Sequence, residues 1–290
     1  MSNSANGQDA AEDDDPVVAG NATNFWLLTQ QHGWDLTHPE DLKSPRPDTK
    51  LRLETTTAPV TIDPAKTALV IVDMQNFFLS AARGDISGSQ GKHTSRMDYL
   101  GNHAGGIRCP APTISRIFGF DMAEEQKNSK TAFCESKGSL GVGQSIGDVV
   151  LADGTTVAAG RMLMRDEWNT ALHDPLEAPF RESQQMSLPD ARFHKARLSG
   201  LWAGPTDCLE FLDGRGIRTL LFGGINTDQC VLASIQDASN RGFDTVFLED
   251  GCGTDSPDFA SEMVAFNCRK SWGFVSSCES LARSTESMKH

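Results

Sequence analysis

Three residues in this chain are of types that do chemistry and stand where a strand-like run ends: a cysteine, an aspartate and a lysine. Cys230 lies in GGINTDQCVLASIQDASNRGF (Gly223 to Phe243), behind TLLF (Thr219 to Phe222). TLLF reads as a buried parallel strand, Gly223 and Gly224 turn the chain, and Val231, Leu232, Ile235 and Ala238 recur at helical spacing. A thiol where that helix begins faces unpaired backbone N–H groups and the positive end of the helix dipole. Both favour the nucleophilic thiolate. The competing reading is a small buried cysteine packed under the helix. Asp73 closes the apolar run Ala68 to Val72, a strand buried on both faces. The carboxyl ends of strands in an open α/β sheet form the ligand crevice, so a carboxylate there serves either as a base or as a helix N-cap. Lys195 ends a short strand, ARFHK, before a Ser-Gly-aromatic loop, and a solvated surface lysine is the default for it.

Absent patterns narrow the chemistry. The seven cysteines are scattered, with no CxxC pair, and the seven histidines form no HxH or HExxH pattern. Neither a disulfide framework nor a metal site has support. The formal charge of −13 argues against nucleic acid or an anionic membrane as partner. No apolar run approaches the ~18 residues of a membrane span. The start of the chain lacks the basic and apolar regions of a secretory signal, and the expected compartment is the cytoplasm.

These residues need elements to hold them. Residues 1–20 are polar and acidic and are expected to be a disordered tail, with one domain over 21–290. NFWLLTQQHGWDLT (Asn24 to Thr37) is apolar enough to pack on the domain or on a partner subunit. Asp148 to Met164 reads as a short hairpin around Asp153-Gly154. GPTDCLEFLDGRGI (Gly204 to Ile217) reads as a helix capped by Thr206. DTVFLEDGCGT (Asp244 to Thr254) is a strand, SPDFASEMVAFNCRKSW (Ser256 to Trp272) a helix, and GFVSSCESLA (Gly273 to Ala282) ends the sheet. From residue 204 the order is αβαβαβ with short connections, which implies a three-layer αβα fold on a mostly parallel sheet.

VIVDMQNFF around Asp73, HKARLSGLW around Lys195 and GGINTDQCV around Cys230, in that order, resemble the isochorismatase-like cysteine hydrolase family. DGCGT and GFVSSCESL add to the resemblance, which covers about residues 55–78 and 145–282. It implies a sheet of about six strands and an Asp73–Lys195–Cys230 triad. It also implies an oxyanion site from the backbone N–H groups of Asn226 and Cys230, and a non-proline cis peptide at Ile225–Asn226. Gln75, Phe78 and Trp202 become candidate pocket residues. The implied activity is hydrolysis of a small amide, ureido or carbamoyl C–N bond through a thioester. No cofactor is called for, the partner is a small-molecule substrate, and a homo-oligomer is the family expectation. Family members without the cysteine hydrolyse enol ethers, an isochorismatase-type alternative that Cys230 disfavours. The family's second strand is not visible in residues 80–112. A chain lacking that strand would be a catalytically impaired or binding-only member.

Overall fold

The computed structural model describes residues 15–21, 24–80, 115–120, 142–202 and 204–287, with 115–120 described as backbone. Strands β1 (Val17–Gly20), β2 (Phe25–Thr29), β3 (Gly33–Leu36), β4 (Leu51–Leu53) and β5 (Val60–Ile62) form a sheet in the order β1-β2-β3-β5-β4. Residues 17–20 of the expected disordered tail are therefore a strand. Val17 to Gly20 pair antiparallel with Phe25 to Leu28, a hairpin that satisfies their backbone groups. Residues 1–14 lie outside the described residues. The aromatic stretch Asn24 to Thr37 supplies β2 and β3, with Phe25, Leu27 and Leu36 buried.

The second sheet carries the candidate site. It contains β6 (Thr67–Val72), β7 (Ser115–Phe120), β10 (Ala191–Lys195), β11 (Thr219–Ile225), β12 (Asp244–Gly253) and β13 (Phe274–Ser276); β8 (Asp148–Val150) and β9 (Thr156–Ala158), between β7 and β10 in the chain, form a separate antiparallel hairpin. The strand order is β10-β7-β6-β11-β12-β13, and every pairing is parallel. Helix α1 (Asn76–Leu79) follows β6, α2 (Asp174–Ser183) precedes β10, α3 (Asp207–Gly214) precedes β11, and α4 (Leu232–Asn240) and α5 (Asp258–Asn267) flank β12. Helix α6 (Cys278–Ser287) follows β13. Thr206 caps α3 by accepting from the Leu209 N–H.

This arrangement corrects the reading of a missing second strand. Ser115–Phe120 lies between β6 and β10, the place that strand would take, with Ala68 to Val70 opposite Ser115 to Ile117. The strand falls just after the span 80–112, of which residues 81–112 lie outside the described residues. The ground for expecting an impaired member on account of a gap in the sheet falls with it.

Alternation along the buried strands sends side chains to two cores. Ala68, Val70, Val72, Leu220 and Phe222 pack under α3, α4 and α5 with Leu212, Ile235, Ala238 and Val264. Leu69, Ile71, Leu221 and Val246 face the other way. They pack with Leu51, Leu53, Val60 and Ile62 of the N-terminal sheet, and with Leu176 of α2 and Leu281 of α6. One outer layer is thus helical, and the other combines helices with the N-terminal sheet, a layer the αβα expectation did not contain. Asp244 ties the two sheets together. Its carboxylate accepts from Trp26 Nε1 at 2.7 Å and Thr219 Oγ1 at 3.1 Å and faces His38 Nε2 at 2.6 Å. No helix among the described residues is long and apolar enough to cross a membrane.

Candidate active site

Asp73 and Cys230 come off neighbouring strands at their carboxyl ends. Pairing of β6 with β11 runs from Thr67↔Thr219 to Val72↔Gly224, so Asp73 follows the last paired residue of one strand and Ile225 ends the other. Gly224 makes that approach feasible. Its φ is +130°, and a Cβ there would overlap the Val72 carbonyl oxygen and lie 2.6 Å from the Val72 nitrogen. Asp73 itself is in the left-handed region at φ +54°, which Asp tolerates better than most residues. The turn is braced by a strip on residues 168–173. The Asn76 N–H donates to Ala171 O at 3.0 Å, the His173 N–H donates to Met74 O at 3.0 Å, and Gln75 Nε2 donates to Thr170 O at 2.9 Å.

Lys195, at the end of β10, reaches over β7. Its Nζ donates to Asp73 Oδ2 at 2.8 Å and to the Arg197 carbonyl at 3.2 Å. The lysine side chain is 7% exposed and the aspartate 0%. The surface reading of Lys195 is therefore wrong: its ammonium is paired inside the protein. A buried ion pair of this kind costs desolvation and is weak evidence for stability.

Cys230 is buried and interacts with both the Asp73 carboxylate and the Lys195 ammonium. It sits in a one-turn π-helical segment, Thr227–Val231, that leads into α4. Burial, then the negative charge of Asp73, push the thiol up to about 12, and Lys195 offsets this only in part. Burial thus works against the helix-start field that favours thiolate. Raised in this way, Cys230 is a protonated thiol at neutral pH, close to the Asp73 carboxylate.

The Ile225–Asn226 peptide bond is cis, as the resemblance implied. Within the following turn, the N–H groups of Gln229 and Val231 are both committed to the Asn226 carbonyl, at 3.1 and 3.2 Å. Of the candidate pocket residues, Gln75 is fully buried and its N–H donates to Asp73 O at 2.8 Å, which helps to set the Asp73 turn. Phe78 packs beside Phe77 and against the cluster of Met162, Leu163, Met164 and Ala196, next to Lys195. Trp202 is half-exposed, and the Arg197 guanidinium lies over its ring at 5.4 Å from the centroid. The structure therefore brings Asp73, Lys195 and Cys230 together, with Gln75 and Phe78 around the Asp73 turn. Trp202 lies on the loop beyond Lys195.

Sequence reasoning passed over Asn169 and Thr170, both buried. Asn169 Nδ2 donates to the carbonyls of Ala159 and Arg161, each at 2.8 Å, shaping the strip that braces the Asp73 turn. No local pattern marks them. A roomy cavity of about 700 Å³, lined by residues including Glu54, Glu249, Asp250 and Arg283, lies beside β13 and α6 and contains none of the three. Lys195 borders a void of only about 40 Å³, shared with Cys208 and Ser234. Among the described residues no group of three or more His, Cys, Asp or Glu could hold a metal ion. Cys208, Cys252, Cys268 and Cys278 are buried and unbridged, while Cys109 and Cys134 lie outside the described residues.

Comparison with known proteins gives concordant matches. Residues 146–280 match the model of the Isochorismatase domain. The chain is 28% identical over 224 residues to the ureidoacrylate amidohydrolase RutB of Agrobacterium fabrum, covering 75% of this chain and 89% of that protein. It is 27% identical over 223 residues to the same enzyme of Caulobacter vibrioides, covering 75% and 90%. The nicotinamidase PncA of Bacillus subtilis shares the fold, with a TM-score of 0.52 at 17% identity over 73% of this chain and 99% of that one. With the parallel six-stranded sheet already described, these matches show a chain similar to the isochorismatase-like cysteine hydrolases, most directly over residues 146–280.

Proposed function

We propose that the chain cleaves the non-peptide C–N bond of a small ureido or carbamoyl compound through a thioester, with Asp73, Lys195 and Cys230 as its catalytic residues. One observation carries this reading. A buried thiol faces a buried carboxylate, which is held in turn by a buried ammonium at 2.8 Å. The amidohydrolase relatives favour a ureido substrate over nicotinamide, because the nicotinamidase likeness is one of fold at 17% identity.

The steps follow from the proton positions. The Cys230 S–H gives its proton to Asp73 as sulfur attacks the carbonyl carbon, so no free thiolate has to persist in a site that disfavours it. The oxyanion accepts from the backbone N–H groups of Asn226 and Cys230. Collapse breaks the C–N bond, and Asp73 returns the proton to the departing nitrogen. Water then attacks the thioester and gives a proton to Asp73, and the sulfur leaves and regains it. Lys195 keeps the carboxylate fixed between these transfers and balances its charge.

Ammonia release from a panel of ureido acids, carbamoyl compounds and primary amides, nicotinamide included, tests the substrate class. Intact-mass detection of an acylated Cys230 under rapid quench tests the mechanism. Turnover should fall by about 10³-fold or more in Cys230→Ala, as it does when a nucleophile is deleted. Retention of most activity in that variant would refute the cysteine mechanism and favour the enol-ether alternative.

A further inference from the structure

The nucleophile turn is braced from the side by a carboxylate that the reaction scheme does not use. Asp228, two residues before Cys230 and half-buried, accepts from Thr254 Oγ1 at 2.6 Å and from Ser256 Oγ at 2.8 Å, one hydroxyl on each oxygen. Thr254 directly follows β12, whose last residue Gly253 pairs with Ile225 at the end of β11. Two adjacent strand exits are therefore tied across by side chains at the point where the strand ladder stops. Beyond it the Gln229 and Val231 N–H groups of the turn both bond to the Asn226 carbonyl. Helix α5 starts two residues past Ser256 and packs against the same turn.

We propose that Asp228 is a positioning residue: its paired hydroxyl bonds clamp the Thr227–Val231 turn to the β12–α5 loop and so hold Cys230 against Asp73. This rests on the reading of Cys230 as nucleophile. Hydroxyl–carboxylate bonds are charge-assisted and among the stronger ones available to a short turn. A displacement of about 1 Å at a reacting atom can cost on the order of 100-fold in rate. Without the clamp the turn keeps its backbone bonds but loses its lateral anchor, and the sulfur drifts from its proton acceptor.

The sign of the effect separates this role from the alternatives. Were Asp228 merely a negative charge near the sulfur, removing it would ease thiol ionisation and speed alkylation. Were it merely structural, its loss would open the core and spread label to Cys208, Cys252, Cys268 and Cys278. The clamp requires slower alkylation confined to Cys230.

The test measures iodoacetamide labelling of the full-length protein across pH 6–10, mapped by mass, for Asp228→Ala, Asp228→Asn and the pair Thr254→Val/Ser256→Ala. In Asp228→Ala, labelling of Cys230 should slow by about 10- to 100-fold, and kcat on a hydrolysed ureido compound should fall in parallel with little change in KM. Asp228→Asn, which can still accept one hydroxyl and donate to the other, should recover most of the rate. The hydroxyl pair, which leaves Asp228 in place, should reproduce the slowing even if Asp228→Ala does not fold. Wild-type or faster labelling in the folded variants overturns the clamp. Wild-type Cys230 labelling no faster than the other buried thiols overturns the nucleophile reading instead.

Discussion

Replacing Lys195 by Met tests the buried pair directly. The methionine keeps the aliphatic bulk and removes the ammonium that Asp73 faces at 2.8 Å. Asp73 is 0% exposed in its side chain, so water cannot take over. Breaking a buried pair from one side costs about 3–5 kcal/mol, because the remaining charge is uncompensated. At roughly 2–4 °C per kcal/mol for a large domain, the Tm should drop by about 6–20 °C. The stranded carboxylate relieves itself by taking a proton, and in that window the folded state binds more protons than the unfolded one. Stability of the variant therefore falls as pH rises, and its deficit should be smaller at pH 5 than at pH 8. Removing the second charge as well, in Asp73→Asn/Lys195→Met, should restore part of the loss, giving a coupling on the order of 2 kcal/mol. Calorimetry of the wild type, both single variants and the double variant at the two pH values measures all of this. A Lys195→Met deficit below about 1 kcal/mol, or one that does not change with pH, would refute the reasoning and mark the pair as solvated.

Gly224→Ala should leave little folded protein, since its Cβ collides with the Val72 backbone; soluble yield and circular dichroism report it. Alkaline stability follows from the buried thiols. Burial pushes Cys208, Cys230 and Cys268 up to about 12 from 9.0, so above pH 9 the unfolded chain releases their protons first and stability falls as pH rises. Near pH 10 the three together should cost about 3–4 kcal/mol, at 1.36 kcal/mol per unit each, and urea melts at pH 8 and 10 measure it; equal midpoints would contradict the burial argument. Asp244→Ala leaves the Trp26 and Thr219 donors without their acceptor and should destabilise by about 2–4 kcal/mol. Hydrogen exchange over residues 17–62 should rise first, since Asp244 joins the N-terminal sheet to the main one.

Much of this molecule could be read from local pattern. The continuous apolar runs of β6 and β11, Thr206 before α3 and the Asp153-Gly154 turn each express a short-range rule, so their elements stand where those rules put them. The grouping of Asp73, Lys195 and Cys230 was implied by the resemblance of their three motifs in chain order, since the local pattern of each left other readings open. Other features depend on residues far apart in the chain. Ser115–Phe120 holds its place by pairing on both sides with β6 and β10, partners about 50 and 75 residues away. From its local sequence Lys195 reads as a surface lysine, until the fold brings its ammonium to 2.8 Å from Asp73, 122 residues away in the chain. The state of Cys230 was the hardest to foresee. A helix start lowers a thiol locally, but desolvation and the Asp73 charge act through space, and they exist only once the sheet closes around it. Periodicity and capping are properties of neighbours in sequence, whereas burial and ion pairing are properties of neighbours in space.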